Sequence, residues 1–359
     1  MNPSEQPATK PRAVVFAYHN VGVRCLQVLL ARGVDVALVV THEDNPAENI
    51  WFGSVKSVAE DHGIDVITPA DPTAQQLHEA IERIAPDFIF SFYYRHMLPV
   101  GLLALAPRGA YNVHGSLLPK YRGRVPTNWA VLNGETETGA TLHEMAAKPD
   151  AGAILGQTPV PILPDDTAAQ VFDKTTVAAE QTLWRVLPAL LAGEAPHLPN
   201  DLSKGSYFGG RKPEDGRIDW SMTAQQVYNL IRAVAPPYPG AFTDIGQDRF
   251  SIARARLVPE SGTRIVSTAA LRELSNLPAG LHLLDNALFG VCGDRGVIAI
   301  HELRHSIVDP SVTGSSNEPS NTPPDTPQNA LPKTLPNPGD ERVVSPAEFG
   351  RITQSLRHS

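Results

Sequence analysis

Residues Ala110–Arg124 read AYNVHGSLLPKYRGR, and the rest of the chain can be interpreted outward from this stretch. Its first five residues are typical of a β-strand, and side chains two apart on a strand share one face, so Asn112 and His114 point the same way. Gly115 and Ser116 end the strand, which places the pair near its carboxyl end, where open α/β sheets hold their ligands. An amide donor beside a titratable imidazole is a combination that acyl transfer uses.

Strand-like and helix-like segments alternate before this stretch. The predicted strands are 13–18, 36–41, 66–68, 88–94 and 110–114, and the predicted helices are 19–32, 54–62 and 74–84. Alternation of this length predicts parallel βαβ units with right-handed crossovers. The first turn contains only Gly22, so the G-x-G-x-x-G fingerprint of dinucleotide binding is missing. The predicted fold class is therefore α/β, with a Rossmann-like parallel sheet that lacks that cofactor site.

The segments after this stretch predict further elements and a second domain. A short helix is expected around Trp129, strands at 138–145 and 153–162 on either side of Asp150, and a helix at 165–191 that Pro188 kinks or ends. A Pro/Gly/Ser-rich connector at 194–213 precedes a helix at 224–234 and short β-type runs near 250–253, 280–284 and 296–303. Short strands separated by turn signals predict a small β-barrel.

The chain is expected to divide into five parts. Residues 310–341 are rich in Pro, Ser, Thr and Asn and hold too few apolar groups to offset the entropy of ordering, which predicts disorder. The predicted parts are a flexible leader (1–11), a catalytic domain (12–205), a small barrel domain (206–309), the disordered excursion (310–341) and a return segment, strand or short helix (342–359).

Charge, cysteine content and hydropathy argue against several classes of protein. The chain has 359 residues, a net charge of −8 and a pI near 5.8, which argues against a general binder of nucleic acid. Its two cysteines, Cys25 and Cys292, lie far apart and predict neither a disulfide framework nor a zinc knot. The start has no apolar signal-peptide core and no window reaches eighteen apolar residues, so a cytoplasmic protein without membrane insertion is expected. The oligomeric state stays open.

Several motifs resemble one enzyme family. The string NVHGSLLPKYRG at 112–123, followed by Asp150-Ala151-Gly152, resembles the signature of folate-dependent formyltransferases. The stretches VVFAYH at 14–19 and FSFYYRH at 90–96 are similar to the formyltransferase half of the bifunctional polymyxin-resistance enzyme, which N-formylates UDP-4-amino-4-deoxy-L-arabinose. The resemblance runs from about Arg12 to Ile300. It implies an OB-like barrel in the second domain, 10-formyltetrahydrofolate as formyl donor, no metal, and a UDP-amino sugar as acceptor in the modification of lipid A.

The resemblance assigns catalysis to Asn112, His114 and Asp150, and their chemistry fits formyl transfer. The Asn112 amide can donate to the oxyanion of a tetrahedral intermediate. His114 can act as base, as acid or as both, and this choice stays open. Asp150 can orient the imidazole, as the third member of catalytic triads does.

The resemblance also implies binding residues. For folate these lie in the loop after the fourth strand, in the loop that leads to Asp150, and at one arginine: His96, Met97, Leu98, Ala146, Ala147, Lys148, Pro149 and Arg124. The two phosphates of a sugar nucleotide require basic donors, and Arg211 and Lys212 in the string FGGRKP are the best candidates. Gly210 stands where the family pattern has an arginine.

Three alternatives remain at this point. Methionyl-tRNA formyltransferases share the folate chemistry, but they need a basic surface that this acidic chain lacks. A non-catalytic binding protein could have the same fold, although Asn112, His114 and Asp150 are all present. The string HELRH at 301–305 spells the H-E-x-x-H zinc motif, but that motif requires a helix, and this one follows a β-type run.

Overall fold

The computed structural model describes residues 10–45, 50–263, 266–307 and 341–356, and the chain divides into two compact units. The first unit comprises residues 1–127, 137–161 and 172–210, and the second comprises 128–136, 162–171 and 211–359. The predicted leader (1–11) and the predicted disordered excursion (310–341) fall almost entirely outside the described residues.

The first unit contains a seven-stranded sheet. Five strands pair in parallel in the spatial order β3-β2-β1-β4-β5: β1 (Arg12–Ala17), β2 (Asp35–Val40), β3 (Val66–Ile67), β4 (Phe88–Phe92) and β5 (Ala110–His114). Two antiparallel strands, β7 (Glu137–Glu144) and β8 (Ile154–Pro161), continue the sheet beyond β5. A separate short parallel pair joins β6 (Arg122–Gly123) to β9 (Tyr207–Phe208).

Helices connect the strands. They are α1 (His19–Ala31), α2 (Val55–Asp61), α3 (Gln75–Ile84), α4 (Val100–Leu103), α5 (Pro126–Leu132) and α6 (Ala168–Ala192). Strands β2 and β3 lie on one side of β1, and β4, the next strand along the chain, lies on the other side. The sheet order thus reverses between β1 and β4, and ligands of open α/β sheets bind at the carboxyl edge beside such a reversal.

The parallel strands form because apolar side chains cover both faces of the sheet. Along β1, Val15 packs in one core with Leu29 of α1, whereas Phe16 packs in the opposite core with Ile81 of α3. All four side chains are fully buried. Burial of one such side chain stabilises a fold by about 1.5–3 kcal/mol, so the central strands hold the carboxyl edge of the sheet in place.

Helix α6 continues through Pro188 to Ala192, so of the two effects predicted for Pro188, a kink or an end, the helix does not end there. A proline lacks the N–H that would bond to the carbonyl four residues earlier, which here belongs to Trp184. That carbonyl accepts a hydrogen bond from Nη2 of Arg32 at 2.9 Å, and the Arg32 guanidinium lies 3.5 Å from the Trp184 ring centroid. Arg32 supplies the donor that Pro188 cannot, so the helix tolerates the proline.

The second unit contains an antiparallel sheet in the order β10-β11-β14-β13-β12, with a short β15 paired to β14. Its strands are β10 (Ala241–Ile245), β11 (Asp248–Val258), β12 (Gly280–Leu284), β13 (Ala287–Val291), β14 (Val297–Ile307) and β15 (Arg342–Val343). Its helices are α7 (Ala224–Ala233), α8 (Thr268–Ser275) and α9 (Pro346–Leu356). The predicted fold class, a Rossmann-like unit with a small β unit, is confirmed.

Candidate active site

Strand β5 presents the candidate catalytic pair at the carboxyl edge of the first unit's sheet. Its antiparallel neighbour β7 places His143 opposite Asn112 and Thr141 opposite His114. Residues directly opposite each other in an antiparallel pair project from the same face, so these four side chains share one face. Strand β4 pairs with β5 in parallel, with Phe92 beside Val113, so the loop that follows β4 starts at the same edge.

His114 is tied to the backbone through one ring nitrogen and faces a carboxylate with the other. Its Nε2 lies 2.7 Å from the carbonyl oxygen of Tyr121. A carbonyl only accepts hydrogen bonds, so Nε2 carries the proton of the neutral ring. The remaining nitrogen, Nδ1, lies 3.6 Å from Oδ1 of Asp150, and both side chains are largely buried. His114 can therefore exchange a proton at Nδ1, beside Asp150, without breaking its bond to Tyr121.

The loop that brings Asp150 to the imidazole is fixed at several points. Oδ2 of Asp150 accepts a hydrogen bond from the backbone N–H of Gly123 at 2.8 Å. The Asn200 side chain donates to the carbonyls of Asp150 and Gly152, at 3.0 and 3.1 Å. A Cβ at Gly152 would lie 2.1 Å from the carbonyl oxygen of Glu144, so only glycine fits there. In the D-A-G part of the motif, Asp150 thus supplies the carboxylate, and Gly152 allows the close approach of the Glu144 carbonyl.

The segment that supplies the Tyr121 carbonyl is also held in place. The Tyr121 N–H donates to Oγ of Ser206 at 2.9 Å, and the Tyr121 ring stacks on Phe208 with centroids 5.3 Å apart. Gly123 has a φ of +94°, and a Cβ there would lie 2.2 Å from the Phe208 carbonyl oxygen. The short β6–β9 pair therefore positions two main-chain groups of the site, the Tyr121 carbonyl and the Gly123 N–H.

Asn112 contacts a residue that the sequence did not single out. Its Nδ2 lies 3.1 Å from Nε2 of His143, whose Nδ1 lies 2.7 Å from the carbonyl oxygen of Glu144. Burial lowers the pKa of His143 to about 4, so its ring is neutral near pH 7. Nε2 of His143 also lies 3.6 Å from Oδ1 of Asp150. The structure brings Asn112, His114 and Asp150 together around this fourth side chain.

The sequence contained one signal for His143. It lies two residues after Thr141 in a segment predicted as a strand, so the two share a face, as Asn112 and His114 do. What the sequence could not supply is the register that sets β7 against β5.

The predicted folate-binding residues differ in exposure. His96 is partly buried, with its ring 5.0 Å from that of His42, and burial lowers its pKa. The side chain of Met97 is exposed, whereas that of Leu98 packs in a hydrophobic core, so Leu98 can offer a ligand only main-chain groups. The backbone N–H of Arg124 donates to the Phe208 carbonyl at 2.9 Å. The exposed loop residues before Asp150 are Ala146, Ala147 and Lys148, followed by the partly buried Pro149.

The predicted phosphate-binding pair belongs to the second unit. The Arg211 guanidinium lies 5.0 Å from the Trp129 ring centroid and donates through Nη2 to the Asp215 carbonyl at 3.0 Å. Burial lowers its pKa. The Lys212 side chain is exposed, and its backbone N–H donates to Oδ2 of Asp215 at 2.7 Å.

The zinc-like string HELRH lies on strand β14, as the sequence indicated. On a strand, His301 and His305 are about 13 Å apart at 3.3 Å per residue, too far to share one metal ion. His305 is instead paired with the Asp248 carboxylate. Over the described ranges, no group of three or more His, Cys, Asp or Glu side chains is arranged to hold a metal ion.

No helix within the described ranges has the length and apolar character needed to cross a membrane.

Comparison with protein families gives two matches in succession along the chain. The formyl transferase model matches residues 16–187, and the model of the formyl transferase C-terminal domain matches residues 211–307. The chain belongs to the formyltransferase family. This formyltransferase carries Asn112, His114 and Asp150 within the first match, and the predicted enzyme class is confirmed.

Solved structures with the same fold include several formyltransferases. An N-formyltransferase from Helicobacter canadensis, in complex with folinic acid and dTDP-3-aminofucose, is 20% identical, with 81% of this chain and 99% of that chain covered and a TM-score of 0.63. The sugar 3N-formyl transferase WlaRD, solved with dTDP and 5-N-formyl-THF, is 20% identical, with 81% and 97% covered and a TM-score of 0.61. A 4-N formyltransferase from Francisella tularensis is 19% identical, with 65% and 91% covered and a TM-score of 0.53. At these identities the likeness shows the fold of this formyltransferase.

Proposed function

We propose that this formyltransferase moves a formyl group from 10-formyltetrahydrofolate to the amine of a nucleotide-linked sugar. The observation that carries the proposal is the group of Asn112, His114 and Asp150 at the carboxyl end of β5, with Nδ1 of His114 facing Asp150 at 3.6 Å. The folates and the amino-sugar nucleotide in the structures of similar fold support this choice of donor and acceptor.

The proposed reaction begins when the uncharged acceptor amine attacks the formyl carbon. In the first step a carbon–nitrogen bond forms and the carbonyl electrons move to oxygen. In the second step the carbonyl re-forms and the bond from that carbon to N10 breaks, so that overall the amine loses one proton and N10 gains one. An N–H of Asn112 donates to the developing oxyanion, which is absent from the ground state. His114 takes up the amine proton at Nδ1, returns one to N10, or does both. The Tyr121 carbonyl holds the ring through Nε2, and the Asp150 carboxylate stabilises the imidazolium that forms.

Donor and acceptor need separate sets of binding residues. For the folate we propose the loop His96–Leu98 and the residues 146–149 with Arg124, because β4 and β5 end side by side and the second loop leads to Asp150. For the diphosphate we propose Arg211 and Lys212. The guanidinium of Arg211 uses one nitrogen on Asp215 and rests on Trp129, which orients a planar group suited to phosphate oxygens.

For the acceptor we propose UDP-4-amino-4-deoxy-L-arabinose, and with it a role in lipid A modification. The proposal rests on the resemblance of FSFYYRH at 90–96 and of NVHGSLLPKYRG at 112–123 to the enzyme that formylates this sugar. A methionyl-tRNA acceptor is the main alternative, and the net charge of −8 disfavours it.

An acceptor panel tests this proposal. Purified protein is incubated with 10-formyltetrahydrofolate and UDP-4-amino-4-deoxy-L-arabinose, a dTDP-linked 3-amino sugar or methionyl-tRNA, and formylated product is measured by mass. We expect efficient formylation of the UDP-linked 4-amino sugar and no product with the tRNA. Faster turnover of the dTDP sugar would contradict the choice of sugar. Formylation of the tRNA alone would contradict the whole assignment of the acceptor.

A further inference from the structure

We propose that His143 is a positioning residue that holds the Asn112 amide with its N–H groups, rather than its carbonyl, toward the site of reaction. The inference rests on the proposed role of Asn112 in formyl transfer. It starts from the register of the sheet, because β5 and β7 set Asn112 and His143 opposite each other and therefore within reach on one face.

The hydrogen bonds of His143 fix which of its nitrogens accepts. Nδ1 lies 2.7 Å from the Glu144 carbonyl oxygen, which can only accept, so Nδ1 carries the ring proton. The ring is 2% exposed and uncharged near pH 7, so Nε2 presents a lone pair. Of the two ends of the Asn112 amide, only the NH₂ end can donate to that lone pair, over the 3.1 Å that separates Nδ2 from Nε2.

The opposite amide orientation is unfavourable. A flipped Asn112 would set its carbonyl oxygen against the lone pair of His143, which leaves two acceptors facing each other and no hydrogen bond. An unmade hydrogen bond at a buried group such as the His143 ring is destabilising. In the observed orientation one N–H of Asn112 bonds to His143, and the second N–H of the same nitrogen remains able to bind an oxyanion.

The Asp150 carboxylate gives this arrangement a second function. Its Oδ1 lies 3.6 Å from Nε2 of His143 and 3.6 Å from Nδ1 of His114, so the two imidazoles flank one oxygen atom. Because a neutral His143 carries no positive charge, the His114 ring is the only one of the two imidazoles that can form an ion pair with the Asp150 carboxylate. A charged His143 would compete for that carboxylate and would also lose the acceptor that orients Asn112. The burial that keeps His143 neutral therefore serves both neighbours.

The test compares His143→Phe, which keeps a planar ring and removes the acceptor, with His143→Gln, which keeps a side-chain acceptor. We expect kcat of His143→Phe to fall by about 10- to 100-fold, less than the loss of a whole oxyanion donor, with KM changed less than about twofold. His143→Gln should recover part of that loss. In an Asn112→Ala background His143→Phe should have almost no further effect, because it acts through Asn112.

Each outcome separates this inference from the proposed function. Normal turnover in His143→Phe, or a full further loss in the Asn112→Ala background, would overturn the positioning role alone. Normal turnover in Asn112→Ala would overturn the assignment of Asn112 and this inference with it. Imidazole nitrogen NMR of the unmodified protein gives a readout that does not depend on variant folding. We expect the Nδ1–H form of His143 near pH 7, protonated only near pH 4; an Nε2–H form, or protonation near pH 6.5, would contradict the inference.

Discussion

Replacement of His114 by alanine is expected to lower kcat for formyl transfer by about 10²- to 10⁴-fold, the range for loss of a positioned general acid or base. His114 holds its Nδ1 beside Asp150 while its Nε2 is bound to the Tyr121 carbonyl. His114 is the one histidine on β5, the strand that also carries Asn112. The loss should appear in kcat under saturating donor and acceptor, measured by release of tetrahydrofolate.

The matched control for this variant is His62→Ala. His62 is an exposed histidine that follows α2, and its replacement changes the same side chain outside the proposed site. We expect His62→Ala to retain normal kcat. If His114→Ala turns over within about tenfold of the unmodified enzyme while its melting temperature is unchanged, His114 does not transfer the proton and the proposed mechanism is wrong.

Replacement of Asn112 is expected to lower kcat by about 10²- to 10³-fold, the cost of removing one oxyanion donor, or about 2.7–4 kcal/mol of transition-state stabilisation. KM should change little, because the donor acts on charge that is absent from the bound substrate. Two variants sharpen the test. Asn112→Ala removes the whole amide, whereas Asn112→Asp keeps its size and replaces the donor with an acceptor.

Both Asn112 variants should lose kcat, since both lack the N–H, and Asn112→Asp should lose at least as much as Asn112→Ala because its carboxylate faces the developing oxyanion. Full activity in Asn112→Asp would show that the side chain contributes shape rather than a hydrogen bond. A rise in KM with unchanged kcat would place Asn112 in ground-state binding instead.

Most of the first unit follows from local sequence. Strands β1 and β4 are continuous apolar runs, RAVVFA and FIFSF, and such runs are typical of strands that are buried on both faces. Pro188 shows the limit of local rules. Its effect on α6 depends on Arg32, which lies more than 150 residues away in the sequence and satisfies the Trp184 carbonyl.

The strands of the second unit are harder to predict than those of the first, because their apolar runs are short and one of their turns lacks the usual marker residue. Strands β10 and β13 were not predicted, and β11 and β14 extend well beyond the short runs that indicated them. The turn between β12 and β13 is Asp285-Asn286, with φ of +47° and +58°. Asp and Asn tolerate this left-handed conformation, which two-residue hairpins require, but the glycine that usually marks such a turn is absent.

Within the candidate site, the sequence indicated the three candidate catalytic side chains but not the groups that hold them in position. Asn112, His114 and Asp150 were predicted from residue type, spacing and resemblance, and the structure places them close together, while their catalytic roles stay a prediction. His143 depends on the register of β7 against β5, and the Tyr121 carbonyl and Gly123 N–H are main-chain groups that carry no mark in the sequence. The placement of these groups is set by tertiary packing, in particular by the β6–β9 pair.

The central claim is that Asn112, His114 and Asp150 act as one unit in formyl transfer. The most direct test is kcat of the triple variant Asn112→Ala/His114→Ala/Asp150→Asn compared with the three single variants, measured with the best acceptor from the panel. Groups that act together lose their effect together, so the triple variant should be no slower than about the slowest single variant. A triple loss equal to the product of the three single losses would show independent contributions and would contradict the account.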